Sequence, residues 1–151
     1  MICARCALVG ESSDVTHAID FKIDGRAMTW KRTNDYRGRH LTPKAMRAYQ
    51  AMVGSVAYAA LARARLARQW PLDARYRLGV VVSRPDLRAD GDWDNFGKMI
   101  SDSCEGVLWG NDRQIDSGSV DKVLGPPGVI VRAAVMPPAL APPFGLVYGQ
   151  P

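Results

Sequence analysis

Between residues 17 and 24, Ile19, Phe21 and Ile23 alternate with Asp20, Lys22 and Asp24. A two-residue period of this kind predicts a strand with one buried face and one wet face. The same period returns over 75–83, where Tyr76, Leu78, Val80 and Val82 are interleaved with Arg75, Arg77 and Ser83. Between these strands the period lengthens. Met46, Tyr49, Val53, Val56, Ala60 and Leu61 fall on one helical face, which predicts a helix opened by Thr42 as N-cap and Pro43 as first residue, running to about Arg68 and stopped by Pro71. Phe96, Met99, Ile100, Cys104, Val107 and Leu108 repeat that spacing and predict a second amphipathic helix over 95–108. Two further strands, 115–124 and 129–135, are expected on either side of the turn sequence Gly125-Pro126-Pro127-Gly128.

A chain of 151 residues with 47% apolar composition can bury one core and is too short for two ordinary domains. The expected organisation is an N-terminal extension over 1–16, a domain over 17–136 and a proline-rich tail over 137–151. No apolar run approaches the length of a membrane span, and the first residues lack the charged and apolar blocks of a secretory signal, so a cytoplasmic protein is expected. Cys3 and Cys6 form a lone C-x-x-C. His17 and the distant Cys104 do not convincingly complete a four-ligand zinc site, so reduced thiols are expected.

The net charge of +5 conceals a division along the chain. Up to Arg84 there are 15 Lys or Arg against 6 acids, whereas from Asp86 to Asp121 there are 9 acids against 3 bases. An acidic pocket in a basic body suits an enzyme that holds phosphates on its surface and metal ions at its centre. The basic connection over 30–41 carries Lys31, Arg32, Arg37, Arg39 and His40, all expected to contact DNA, together with Trp30 and Tyr36. Those two rings would stack on unpaired bases or anchor in the core.

The candidate chemistry lies in DGDWDNFGKMISDSCEGVLWGNDRQI, residues 90–115. If Asp92 and Asp94 end a strand, their side chains leave the same face, and a short helix and turn would fold Asp112 back onto them. Carboxylate oxygens without histidine favour Mg²⁺ or Mn²⁺ over Zn²⁺. A calcium loop beginning at Asp90 is excluded, because Asn95 and Ser101 occupy the positions that need Gly and Glu. Asp94 would also serve as a helix N-cap, and the group as a whole as a solvated surface. Lys98, one helical turn after Asp94, would reach the carboxylates or simply pair with Asp102 in solvent.

The series Asp92, Asp94, Asn95, Lys98 and Asp102, followed by Val107, Trp109, Asp112, Gln114 and Ile115, resembles the motif order of the RusA-type Holliday junction resolvases, small endonucleases of phage and prophage origin. The resemblance implies a RusA-like α/β (α+β) fold, a small mixed sheet of about four or five strands flanked by two main helices. It also implies metal-binding catalytic roles for Asp92, Asp94 and Asp112, a catalytic role for Lys98, and structural roles near the site for Asn95 and Asp102. Mg²⁺, with Mn²⁺ able to substitute, would be the cofactor. Four-way DNA junctions would be the substrate, cut by a homodimer in the host cytoplasm. Two positions depart from the family pattern: Asn111 replaces the first acid of an Asp-Asp pair, and Gly25, Arg26, Ala27 and Met28 replace a loop rich in proline and asparagine. A nuclease acting on flaps or other branched DNA, or a junction-binding protein without turnover, would use the same residues.

Overall fold

The computed structural model describes residues 17–31, 35–36, 39–40, 42–86 and 91–137. The terminal segments, Arg32, Arg37, Asp90, Cys3 and Cys6 lie outside the described residues, as do the side chains of Tyr36, Arg39 and His40. The elements in chain order are strands β1 (Ala18–Asp24), β2 (Asp35–Tyr36) and β3 (Arg39–His40), helix α1 (Lys44–Arg63), strand β4 (Arg75–Arg84), helix α2 (Trp93–Cys104), a 3₁₀ turn (Asp112–Gln114) and strands β5 (Ile115–Leu124) and β6 (Gly128–Met136). The short β2 and β3 form an antiparallel ladder within the basic connection.

The main sheet is mixed and four-stranded, in the order β1-β6-β4-β5, and with the two helices it gives the α+β arrangement expected. β6 pairs antiparallel with both β1 and β4, while β5 pairs parallel with β4. Alternation selects the buried face: Ile19, Phe21 and Ile23 from β1, Tyr76, Leu78, Val80 and Val82 from β4, and Val129, Val131 and Val135 from β6 are all buried. Val53, Ala57 and Leu61 of α1 and Phe96, Ile100 and Cys104 of α2 close over them. The helices approach closely at Gly54, where a Cβ would stand 3.0 Å from the Ser103 carbonyl oxygen. Burial pushes the Cys104 thiol up to about 12, so it packs as a protonated, apolar group.

Four helix boundaries differ from the sequence expectation. Pro43 is the N-cap of α1, and the helix begins at Lys44, one residue after the expected first position. Its end comes at Arg63 because Arg65 turns left-handed (φ 60°), with Leu66 N–H donating to the Leu61 carbonyl and Arg65 N–H to that of Ala62. This is the paired bonding of a Schellman stop. α2 begins at Trp93 with Asp92 as N-cap, in place of Asp94, and ends at Cys104. Leu108 is fully buried at helical spacing without being helical, because the chain doubles back through Gly106 (φ 79°), whose N–H donates to the Trp109 carbonyl.

That return turn is pinned to the core by aromatic groups. Trp70 donates from Nε1 to the Leu108 carbonyl at 2.7 Å, and Trp109 from Nε1 to the Ser101 carbonyl at 3.1 Å. Tyr76 lies between the two indoles, with centroids 6.1 and 5.5 Å away, and its hydroxyl donates to the Pro71 carbonyl. The next residues are fixed by reciprocal capping. Asn111 Oδ1 accepts from Arg113 N–H at 3.0 Å, and Gln114 Oε1 accepts from Asn111 N–H at 2.8 Å. The amide nitrogen of Gln114 donates to the carbonyls of Leu72 and Ala74, both at 2.8 Å. Asp112 therefore sits in a turn tied to the segment that precedes β4.

Gln114→Ala removes those ties at once. With a net value of about 1 kcal/mol for each hydrogen bond and some replacement by water, it should cost about 1–3 kcal/mol in denaturant unfolding. Amide exchange should accelerate over 110–115 while the β4–β6 ladder stays protected. Unchanged exchange in that turn would show that Gln114 does not hold it.

Candidate active site

Parallel pairing of β4 with β5 requires a crossover, and α2 supplies it. Because β5 is the edge strand among the described residues, one side of α2 packs against the core and the other overhangs that edge. Gly97 permits the close approach, since a Cβ there would stand 3.1 Å from Val120 Cγ2. A helix-interior glycine costs about 1 kcal/mol relative to alanine, and here the cost is offset by letting the helix settle onto the strand.

The overhang forms an open cleft of about 390 Å³. Trp93, Asp94, Gly97, Lys98 and Ser101 line it from α2, while Asp112, Ile115, Gly118, Ser119 and Val120 line it from the 3₁₀ turn and β5. The positions 94, 97, 98 and 101 form one stripe along the helix, which is why an acid, a base and a hydroxyl share a wall. Asp94 is exposed and Asp112 half-buried. Asp94 Oδ1 accepts from the Asn95 N–H at 2.9 Å. Among the described residues the Asp112 carboxylate takes part in no hydrogen bond or ion pair.

Lys98 has two neighbours on its own side of the cleft. Its Nζ lies 3.2 Å from Asp102 Oδ1 and 5.3 Å from the centroid of the Trp30 ring. Both contacts are with an exposed ammonium, so they hold it weakly and leave it able to turn toward an anion. Trp30 is fixed by its own backbone N–H, which donates to the Asn95 carbonyl at 3.1 Å. That bond brings the start of the basic connection, with the exposed Lys31, against the first turn of α2. Asn95 thus serves through its backbone.

Asp92 lies outside the cleft lining. Its backbone is extended and its side chain makes no capping bond to α2, although an aspartate at an N-cap ordinarily stabilises its helix by about 1 kcal/mol through that bond. Asp92 and Asp94 do not end a strand, since β4 stops at Arg84, and among the described residues no three His, Cys, Asp or Glu side chains stand close enough together to hold a metal ion. The structure brings Asp94, Lys98 and Asp112 to one cleft and places Asp92 beside it. In donor chemistry the cleft suits a hard divalent cation, which takes one or two protein carboxylates and completes its shell with water and substrate phosphate.

Sequence reasoning passed over the residues that brace this site. Gly91 (φ 122°) faces Thr29 so closely that a Cβ would stand 2.5 Å from Thr29 Cγ2, and its carbonyl accepts from Lys122 Nζ at 2.8 Å. The same ammonium lies 5.5 Å from the Phe96 ring centroid, tying β5 to the chain entering α2. Asp116 is also committed to structure. It is the extra residue of a bulge in the β4–β5 register, and both its oxygens bind the Arg75 guanidinium. A glycine in the stripe of an amphipathic helix was the one signal available for Gly97. The other contacts depend on tertiary placement.

Residues 24–133 match the family described as endodeoxyribonuclease RusA. The span runs from the end of β1 into β6 and contains both helices, the cleft and every residue lining it. No curated protein matches the chain. Matched over most of its length by that family, the chain belongs to the RusA endodeoxyribonucleases and is a DNA-cutting hydrolase.

Proposed function

We propose that this protein is a Mg²⁺-dependent, structure-specific endodeoxyribonuclease that resolves Holliday (four-way) junctions by paired phosphodiester hydrolysis, with Mn²⁺ able to substitute. The observation that carries the reading is the shared cleft, in which Asp94, Lys98 and Asp112 line the space between α2 and the edge strand β5. The active unit is the domain over 17–136, working in the host cytoplasm as a phage or prophage product. No helix among the described residues is long and apolar enough to cross a membrane.

Asp94 and Asp112 would hold the metal in the cleft, with Asp92, whose carboxylate makes no cap bond, as a further ligand. When present, the metal supplies Lewis-acid polarisation of the scissile phosphate and lowers the pKa of water. The chain's own residues do the rest. Lys98 leaves Asp102 and turns its ammonium toward the phosphate, where it offsets the negative charge that develops in the transition state. Gln114 and Asn111 keep the Asp112 turn from shifting, and Gly97 keeps the cleft narrow. Lys31, next to the docked Trp30, contacts the DNA backbone together with Arg32, Arg37, Arg39 and His40, with counterion release contributing to affinity.

Asp94→Asn and Asp112→Asn should each lower Mg²⁺-dependent cleavage of a synthetic four-way junction by at least about 100-fold while leaving junction binding equal or tighter, since a ligand is lost and repulsion of phosphate falls. Asp92→Asn should follow them. Lys98→Ala should slow cleavage at saturating DNA with little change in affinity. Normal cleavage by all three aspartate variants would remove the metal assignment, and lost affinity at full turnover would reassign Lys98 to phosphate binding.

Resolution requires paired nicks at two symmetry-related sites, and one cleft faces only one of them. A C2 homodimer presents two. Light scattering on the free protein should therefore give a dimer at micromolar concentration, and the products should be two duplexes with one nick each, in strands of like polarity. A monomer that makes single, unpaired nicks would redirect the reading to a general branched-DNA nuclease.

A further inference from the structure

Of the four tryptophans, three are accounted for by packing. Trp109 and Trp70 are buried, with their indole N–H groups bonded to carbonyls, and Trp30 is half-buried beneath Lys98. Trp93 is different. It is 62% exposed, and among the described residues its indole takes part in no hydrogen bond or ring contact. Its place as first residue of α2 gives the ring no helical task, because first-turn positions favour proline or acids and a large apolar side chain adds nothing to capping. Exposure alone does not single it out, since Tyr58 is as bare, but Trp93 is the exposed aromatic that lines the cleft, where a flat π-face can take a base.

Its location defines the ligand. Trp93 stands between Asp92 and Asp94 in the chain and lines the cleft shared by Asp94, Lys98 and Asp112. A strand entering with a phosphate near those groups carries its neighbouring base to the indole. In continuous duplex that base is stacked within the helix and its π-face is covered. At a branch point the flanking bases can unstack, and an exposed aromatic ring can take one of them face to face. Stacking is tolerant of base identity, so Trp93 would read the branch and not the sequence.

We propose that Trp93 is the specificity-determining residue that stacks on an unpaired base at the branch point, giving this enzyme its preference for branched over duplex DNA. The proposal rests on the cleft's being the nuclease site. It calls for binding assays in EDTA, where no strand is cut, using a synthetic four-way junction, a linear duplex of equal length, and the same junction with 2-aminopurine beside the crossover. Trp93→Ala should lose about 10- to 100-fold in junction affinity, the equivalent of one base–aromatic stack, with less than about twofold change on duplex. Trp93→Phe should recover most of the loss. Wild type should quench the 2-aminopurine emission and Trp93→Ala should not.

Equal losses on junction and duplex, unchanged junction affinity, or full quenching by the alanine variant would each overturn the proposal. Circular dichroism verifies folding, which the exposure of the side chain protects. Mg²⁺-dependent cutting by the wild type is read separately. A Trp93-dependent junction preference without cutting would sustain the stacking role and remove the nuclease reading, whereas cutting without that preference would remove the stacking role alone.

Discussion

The site depends on a single topological fact, the parallel pairing of β4 with β5. An antiparallel neighbour could have followed through a tight turn, but a parallel one needs the chain to cross the sheet, and the crossing segment is α2. Because β5 has no further neighbour in the sheet among the described residues, the helix packs over an edge and leaves a cleft instead of a filled interior. Gly97 sets how near the two walls come, Lys122 and Gly91 fix one end, and the Gln114 amide fixes the other.

Within that frame the acids divide by what they are bonded to. Asp116 is spent on Arg75 and Asp102 on Lys98, so they serve the fold and the resting position of the lysine. Asp92 forgoes the cap bond its position offers, and Asp112 sits in a turn whose capping is done by Asn111. The departure from the family's Asp-Asp pair thus has a local account: Asn111 accepts the Arg113 N–H, a task that needs a side-chain oxygen and no charge. Among the described residues the Asp92 and Asp112 carboxylates have no hydrogen bond or ion pair, which leaves their oxygens open to the cation that the proposed function calls for.

Much of this was legible in the sequence. Two-residue alternation marked β1 and β4 because each has one face on the core and one in water, and helical spacing marked α1 and α2. The misplaced ends have specific causes. Leu108 mimics helical spacing from within a return turn, and Arg65 takes a left-handed conformation that a sequence reader expects of glycine. The strand order, the parallel pair and the braces at Gly91 and Lys122 depend on contacts between distant segments, which periodicity does not encode. The expectation that Asp92 and Asp94 share a strand face failed because the helix begins between them, placing Asp92 in extended backbone and Asp94 in the first turn.

The central claim, that the space between α2 and β5 is where a divalent cation acts, is tested most directly by Mn²⁺ titration of the isotopically labelled protein with amide relaxation as the readout. The account predicts paramagnetic broadening centred on residues 92–98 and 112–120, sharply reduced in Asp112→Asn and reversed by excess chelator. Broadening centred elsewhere on the fold, or unchanged in Asp112→Asn, would contradict it.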